Sequence, residues 1–121
     1  MEVGNLVVVN CSSPREKFWG VLLALAPIGA TIRGVPLEAF EDWVRQNATG
    51  GPAMIGAVTL FIPAHRLERI ELDESSGPVE GLADRFRRVA GQDPCEVLLG
   101  GGGVGRRRKR AAGRGKKPFT N

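Results

Sequence analysis

Tyrosine is absent from this chain, histidine occurs once, and cysteine, tryptophan and methionine occur twice each in 121 residues. Each shortage excludes something. Two cysteines, Cys11 and Cys95, lie far apart, so no disulfide scaffold is expected, and both read as small buried hydrophobes of a reducing compartment. One histidine and two distant cysteines match none of the spacings of a structural zinc site, so no metal and no cofactor are expected. The longest apolar run, 20–32, is broken by Pro27 and Gly29 and falls short of the roughly twenty residues of a membrane-spanning helix. The start Met1-Glu2-Val3-Gly4-Asn5 carries no positive region, so no secretory signal is expected and the expected location is cytoplasmic. The sequons at Asn10 and Asn47 then carry no meaning.

What the chain does have is a divided charge. Its net of +4 combines two unlike pieces. Residues 1–105 hold nine bases against thirteen acids, a net of −4, whereas 106–121 hold eight bases and no acid. The high isoelectric point therefore belongs to the C-terminal segment, not to a basic fold. Apolar residues make up 42% and charged residues 25%, near the average for globular proteins, so the first hundred residues suffice for one modest core.

The local patterns predict five strands. Leu6 to Val9 is a β-branched run buried on both faces, closed by the turn Ser12-Ser13-Pro14. Lys17 to Leu25 is extended, Gly20 marks a bend or bulge, and Ala26-Pro27-Ile28-Gly29 turns the chain into Ala30 to Val35. Pro36 suits the first position of a helix whose Leu37, Phe40, Trp43 and Val44 share a face. Asn47 to Pro52 is expected to be a surface loop. Ile55 to Ile62 forms a fourth strand, with Val58, Leu60 and Ile62 on one side and Thr59 and Phe61 on the other. Residues 63–67 turn into a fifth strand from Glu68 to Asp73. Val79, Leu82, Phe86 and Val89 mark a second helix ended by Gly91, and Asp93-Pro94 opens one further turn through Leu99.

The fold class expected is therefore mainly β with α: a small five-stranded antiparallel barrel or strongly bent sheet. One helix is inserted after the third strand and one or two follow the fifth. Residues 1–99 form the globular domain, and 100–121 a glycine-rich linker and a disordered basic tail. Phe18-Trp19-Gly20-Val21-Leu22-Leu23, the return Gly29-Ala30-Thr31-Ile32-Arg33 and the stretch from Phe61 to Ile70 together resemble small barrels of the Sm-like and Src-homology-3-like type. That resemblance covers residues 5–73 and implies a fold. It implies no binding residues, because the Ala26 to Gly29 loop lacks the polar side chains with which Sm-like proteins hold RNA. The tyrosines of the Src-homology-3 ligand groove are absent altogether.

Candidate chemistry is sparse. His65 beside a reactive Cys11 or Ser12 would make a nucleophile and base, but no orienting acid or motif surrounds them. Glu68, Glu71, Asp73 and Glu74 read as a solvated face rather than a cation site. Gly100 to Gly105 satisfies GxGxxG formally, yet arginine-rich coil replaces the helix that a phosphate loop needs, so it reads as a linker. Trp19, Phe40 and Trp43 are expected in the core. Arg85 and Arg88 either extend a basic surface or pair with Asp84 and Glu80.

The tail has a mechanism behind it. Arg106, Arg107, Arg108, Lys109, Arg110, Arg114, Lys116 and Lys117 supply phosphate affinity without base recognition. The function expected is a non-enzymatic binding module. Its tail docks on nucleic acid or ribonucleoprotein without sequence preference, while the body contacts a protein. The alternative is a protein-interaction or regulatory domain with an inert tail, meeting its partner through the first helix or the loop Asn47 to Pro52.

Overall fold

A computed structural model describes residues 1–100. The linker from Gly101 onward and the eight tail cations lie outside the described residues. The elements are β1 (Leu6–Cys11), β2 (Glu16–Ala26), β3 (Gly29–Pro36), a 3-10 turn (Leu37–Ala39), α1 (Phe40–Thr49) and β4 (Val58–Pro63). A second 3-10 turn (Ala64–Arg66), β5 (Leu67–Leu72), α2 (Leu82–Ala90) and α3 (Pro94–Leu99) complete the order. All five strands form one antiparallel sheet in the order β4-β3-β2-β1-β5.

The sheet is strongly bent, and its connections show why. Laid flat, β4 and β5 would be four strand spacings apart, roughly 19 Å. The single 3-10 turn joining them, at about 2 Å per residue, spans less than half of that. The two edges must therefore approach one another at this end. The backbone bonds from Ala64 N–H to Ile28 O (2.8 Å) and from Ser12 N–H to Arg66 O (2.9 Å) close the corner.

Curling gives the sheet two buried faces. Inside the curl, Val7, Val9, Cys11, Leu22, Ala30, Ile32 and Ile62 pack together. On the outer face, Leu6, Trp19, Val21 and Val35 meet Phe40, Trp43 and Val44 of α1, Ala83 and Phe86 of α2, and Leu98 of α3. Successive residues of β1 thus alternate between two cores, which is why Leu6 to Val9 is apolar without a break. Four rings form the outer core. Trp19 meets Phe40 edge-on with centroids 4.8 Å apart, lies 5.5 Å from Trp43, and Trp43 stacks on Phe86 at 4.7 Å. Such pairs contribute about 0.5–1.5 kcal/mol each beyond area burial.

Gly20 faces Gly34 across β2 and β3. A Cβ on Gly20 would lie 2.7 Å from the Gly34 Cα and overlap the Arg33 carbonyl oxygen. Both positions therefore require glycine, and the bend expected at Gly20 is a close approach of two backbones. The bulge lies further along β2, between Leu22 and Ala24.

Four expectations need correction. α1 runs on to Thr49, so the loop begins at Gly50 rather than Asn47; Asn47 Nδ2 donates to the Trp43 carbonyl (2.8 Å), and Gly50 caps the helix in the left-handed conformation. β4 starts at Val58 rather than Ile55. The Gln46 side chain takes the N–H groups of Met54 (2.8 Å) and Ile55 (2.9 Å) and donates to the Ile55 carbonyl (2.9 Å), so that backbone is satisfied away from the sheet. α2 starts at Leu82, leaving Val79 outside the helix and 66% exposed. Its buried residues are Ala83 and Phe86, while Val89 is exposed. Asp73 belongs to no solvated face: its carboxylate fixes the start of α2.

Candidate functional site

The Asp73 carboxylate sits just past β5 and accepts three hydrogen bonds. Trp19 Nε1 donates to Oδ2 (2.8 Å), Ala83 N–H donates to Oδ2 (2.7 Å), and Leu82 N–H donates to Oδ1 (2.7 Å). It ties β2 to α2 and places negative charge at a helix N-terminus, where the dipole favours it. With both oxygens engaged, Asp73 is a structural bracket rather than a cation ligand. Glu71 pairs with Arg69 at 2.7 Å.

His65 lies exposed on the turn between β4 and β5. Cys11 is buried at the end of β1, and burial pushes its thiol pKa up, with the Arg66 cation opposing in lesser measure. A raised thiol is a poor source of the thiolate that nucleophilic chemistry uses. The Cys95 thiol is raised by burial as well, and both cysteines are free. Ser12 serves the β1–β2 turn: Arg66 Nε donates to its carbonyl (3.2 Å), and Arg66 Nη2 donates to the Pro14 carbonyl (2.7 Å) and to Glu16 (2.8 Å). Among the described residues no hydrogen bond joins His65 to Cys11, to Ser12 or to an acid, and the nearby Glu16 carboxylate is engaged by Arg66.

The body's bases are mostly neutralised. Arg45, Arg66, Arg69, Arg85, Arg87 and Arg88 each pair with a carboxylate. Arg85 forms a two-pronged pair with Glu41 of α1 (2.6 and 2.7 Å), joining the two helices. Arg88 does the same with Glu80 (2.8 Å to each oxygen). Asp84 turns instead to Ser75 (2.6 Å) and Arg87 (2.8 Å). Arg85 and Arg88 are therefore ion-pair partners and not an extension of a basic surface. Arg15, Lys17 and Arg33 have no acidic partner among the described residues.

The helices cover only part of the outer sheet face. Leu60 and Ile62 pack into the inner core, so Thr59 and Phe61 point outward. Across the strands Phe61 pairs with Thr31, and Thr31 with Ala24; in the next row Arg33 pairs with Thr59. None of these five residues is acidic. Arg33 Nε donates to the Leu98 carbonyl (2.6 Å) and its Nη1 to Thr59 Oγ1 (3.1 Å), pinning the last turn of α3 onto this face. The last turn of α3 thus lies over the Arg33–Thr59 row, next to the row of Phe61, a residue that is 53% exposed.

Family models, curated proteins and solved structures provide no match to this chain. The likeness to small barrels rests on the five-stranded antiparallel sheet alone, and the site must be argued from its own residues. Trp19, Phe40 and Trp43 lie in the core as expected. Phe61 is the aromatic that the sequence reading did not single out; its alternation with Leu60 and Ile62 is the signal that pointed to its outward face. Nothing in the local sequence marked Asp73, whose partners lie 54, 9 and 10 residues away. The tail residues Arg106 to Arg110, Arg114, Lys116 and Lys117 lie outside the described residues.

Proposed function

We propose that this protein is a non-enzymatic binding module whose C-terminal cations bind nucleic acid or ribonucleoprotein without sequence preference. The observation that carries this reading is the division of charge: eight bases and no acid in 106–121, against a body of net −4. The ion pairs of the body support it, since six of its nine bases are already matched by carboxylates and present little free positive surface. Eight cations neutralise up to about eight phosphates, which by counterion release gives a log–log salt slope near −7 on duplex DNA. Titration of a duplex with the full chain at a series of salt concentrations measures that slope. Replacing Arg106, Arg107, Arg108, Lys109 and Arg110 by Gln is expected to bring it to about −3. A slope that stays unchanged would sink the assignment.

A second reading, a protein-interaction domain, has one observation in its favour. The C-terminal half of α1 and the loop after it form a shallow, mainly apolar groove of about 400 Å3, lined by Gln46, Thr49, Pro52, Met54 and Ile55 among others. Met54 is 85% exposed there. Full-length protein that fails to bind either DNA or RNA at low salt would favour this reading.

A further inference from the structure

We infer that the uncovered outer face around Phe61 is a stacking platform for single-stranded nucleic acid, acting with the cationic segment; the inference rests on the nucleic-acid reading above. Three features converge on it. The first is the ring itself. Phe61 reaches over Gly29, where an added Cβ would lie 2.7 Å from its Cζ, so the missing side chain seats the ring while half of the residue stays open. A seated aromatic with a free face is what a nucleobase stacks on, and such a contact contributes about 1–3 kcal/mol without sequence preference.

The second is charge. In a body of net −4, the rows Ala24, Thr31, Phe61 and Arg33, Thr59 hold one cation and no anion. A phosphate backbone crossing them meets no like charge on these side chains.

The third is where the chain leaves. The Arg33 bond to the Leu98 carbonyl holds the end of α3 over the Arg33–Thr59 row, and Thr59 is two residues, about 7 Å, from Phe61. Arg106 follows Gly100 by six residues, a reach of about 20 Å when extended. The same strand can therefore place a base on Phe61 and its phosphates among the tail cations. A duplex keeps its bases paired and stacked, so it can use the cations but not the ring.

The test uses the full chain, a labelled oligothymidine of about twelve nucleotides and a duplex of similar charge, read by fluorescence anisotropy at low salt. Phe61→Leu keeps apolar bulk over Gly29 and removes the π-face. It is expected to weaken oligothymidine binding by about 5- to 150-fold and duplex binding by less than about twofold. Phe61→Trp is expected to retain oligothymidine binding, which separates stacking from any loss of folding. Equal losses on both probes, or none on either, would overturn the platform while leaving the tail reading in place, provided the five-Gln tail variant still loses affinity. A change in the solution mass of Phe61→Leu with both affinities unchanged would assign the face to a protein contact instead, and overturn it likewise. If the wild-type chain binds neither probe, the parent reading fails and takes this one with it.

Discussion

At the scale of single residues, the Asp73 carboxylate joins β2 to the start of α2. One short side chain satisfies the indole N–H of a buried tryptophan and two amides at the start of α2. Asp73→Ala leaves all three donors unmatched and is expected to cost about 3 kcal/mol of unfolding free energy in urea titration. Asp73→Asn keeps one acceptor oxygen and should cost less, about 2 kcal/mol. Equal stability of the alanine variant and the parent would show that water replaces the carboxylate. Glu41 acts differently. The hydrogen bond from Arg85 holds its pKa below the usual value of 4.5, and bonds from Arg88 and from Ser75 and Arg87 do the same for Glu80 and Asp84. Because these folded-state values are depressed, their stabilising contribution is present above the unfolded values and is lost as pH falls through the folded ones. Melting temperature is therefore expected to hold down to about pH 4.5 and then fall. In Glu41→Gln the neutral-pH value should be lower and the acid decline shallower. An identical pH profile for this variant would rule the pair out as a contributor.

At the scale of elements, glycines and side-chain brackets set where strands and helices begin and bend. The Gly20–Gly34 pair lets β2 and β3 approach more closely than any side chain allows. Gly20→Ala is expected to destabilise by about 3 kcal/mol, because the atoms in the way are backbone and cannot rotate aside. A denaturation midpoint close to that of the parent would mean that the sheet relaxes at little cost. α1 and the loop after it follow a related logic. Gln46 lies on the helix but bonds Met54 and Ile55, and by doing so it delays β4 to Val58. Propensity favoured strand from Ile55 onward, and a contact nine residues back in the chain overrode it. α2 shows the same effect at its start. The recurrence of Val79, Leu82, Phe86 and Val89 fits a helical period, yet the carboxylate of Asp73 sets the first turn at Leu82, and the buried stripe shifts to Ala83 and Phe86.

At the scale of the whole molecule, the bent sheet turns one domain of modest size into two small cores on opposite faces of the same strands. That explains how a chain with seven aromatic residues builds a fold, since four of them meet in one cluster under the helices. The two sheet edges differ. β5 carries Glu68, Arg69 and Glu71, charges that discourage pairing with another strand, whereas β4 from Val58 to Pro63 carries none. The absolute mass in solution reports whether β4 pairs with another copy. The charge division acts at this scale too: six of the body's nine bases are paired with carboxylates, and the surplus of positive charge lies in one terminal segment.

The amino-acid sequence by itself determined the five strands and their order along the chain, the Pro27-Ile28 hairpin, the Asp93 cap of α3 and the core placement of Trp19, Phe40 and Trp43. It also determined the separation of a cationic segment from an acidic body. These are local quantities, written in periodicity, turn residues and charge counts within a few residues of one another. Tertiary structure alone decided the start of α2, the late start of β4, the pairing of Arg85 with Glu41 across 44 residues, and the anchoring of α3 over the Arg33–Thr59 row. Each depends on groups far apart in sequence meeting through the curl of the sheet, and a short window of residues contains no term for a contact that forms only when the sheet closes on itself.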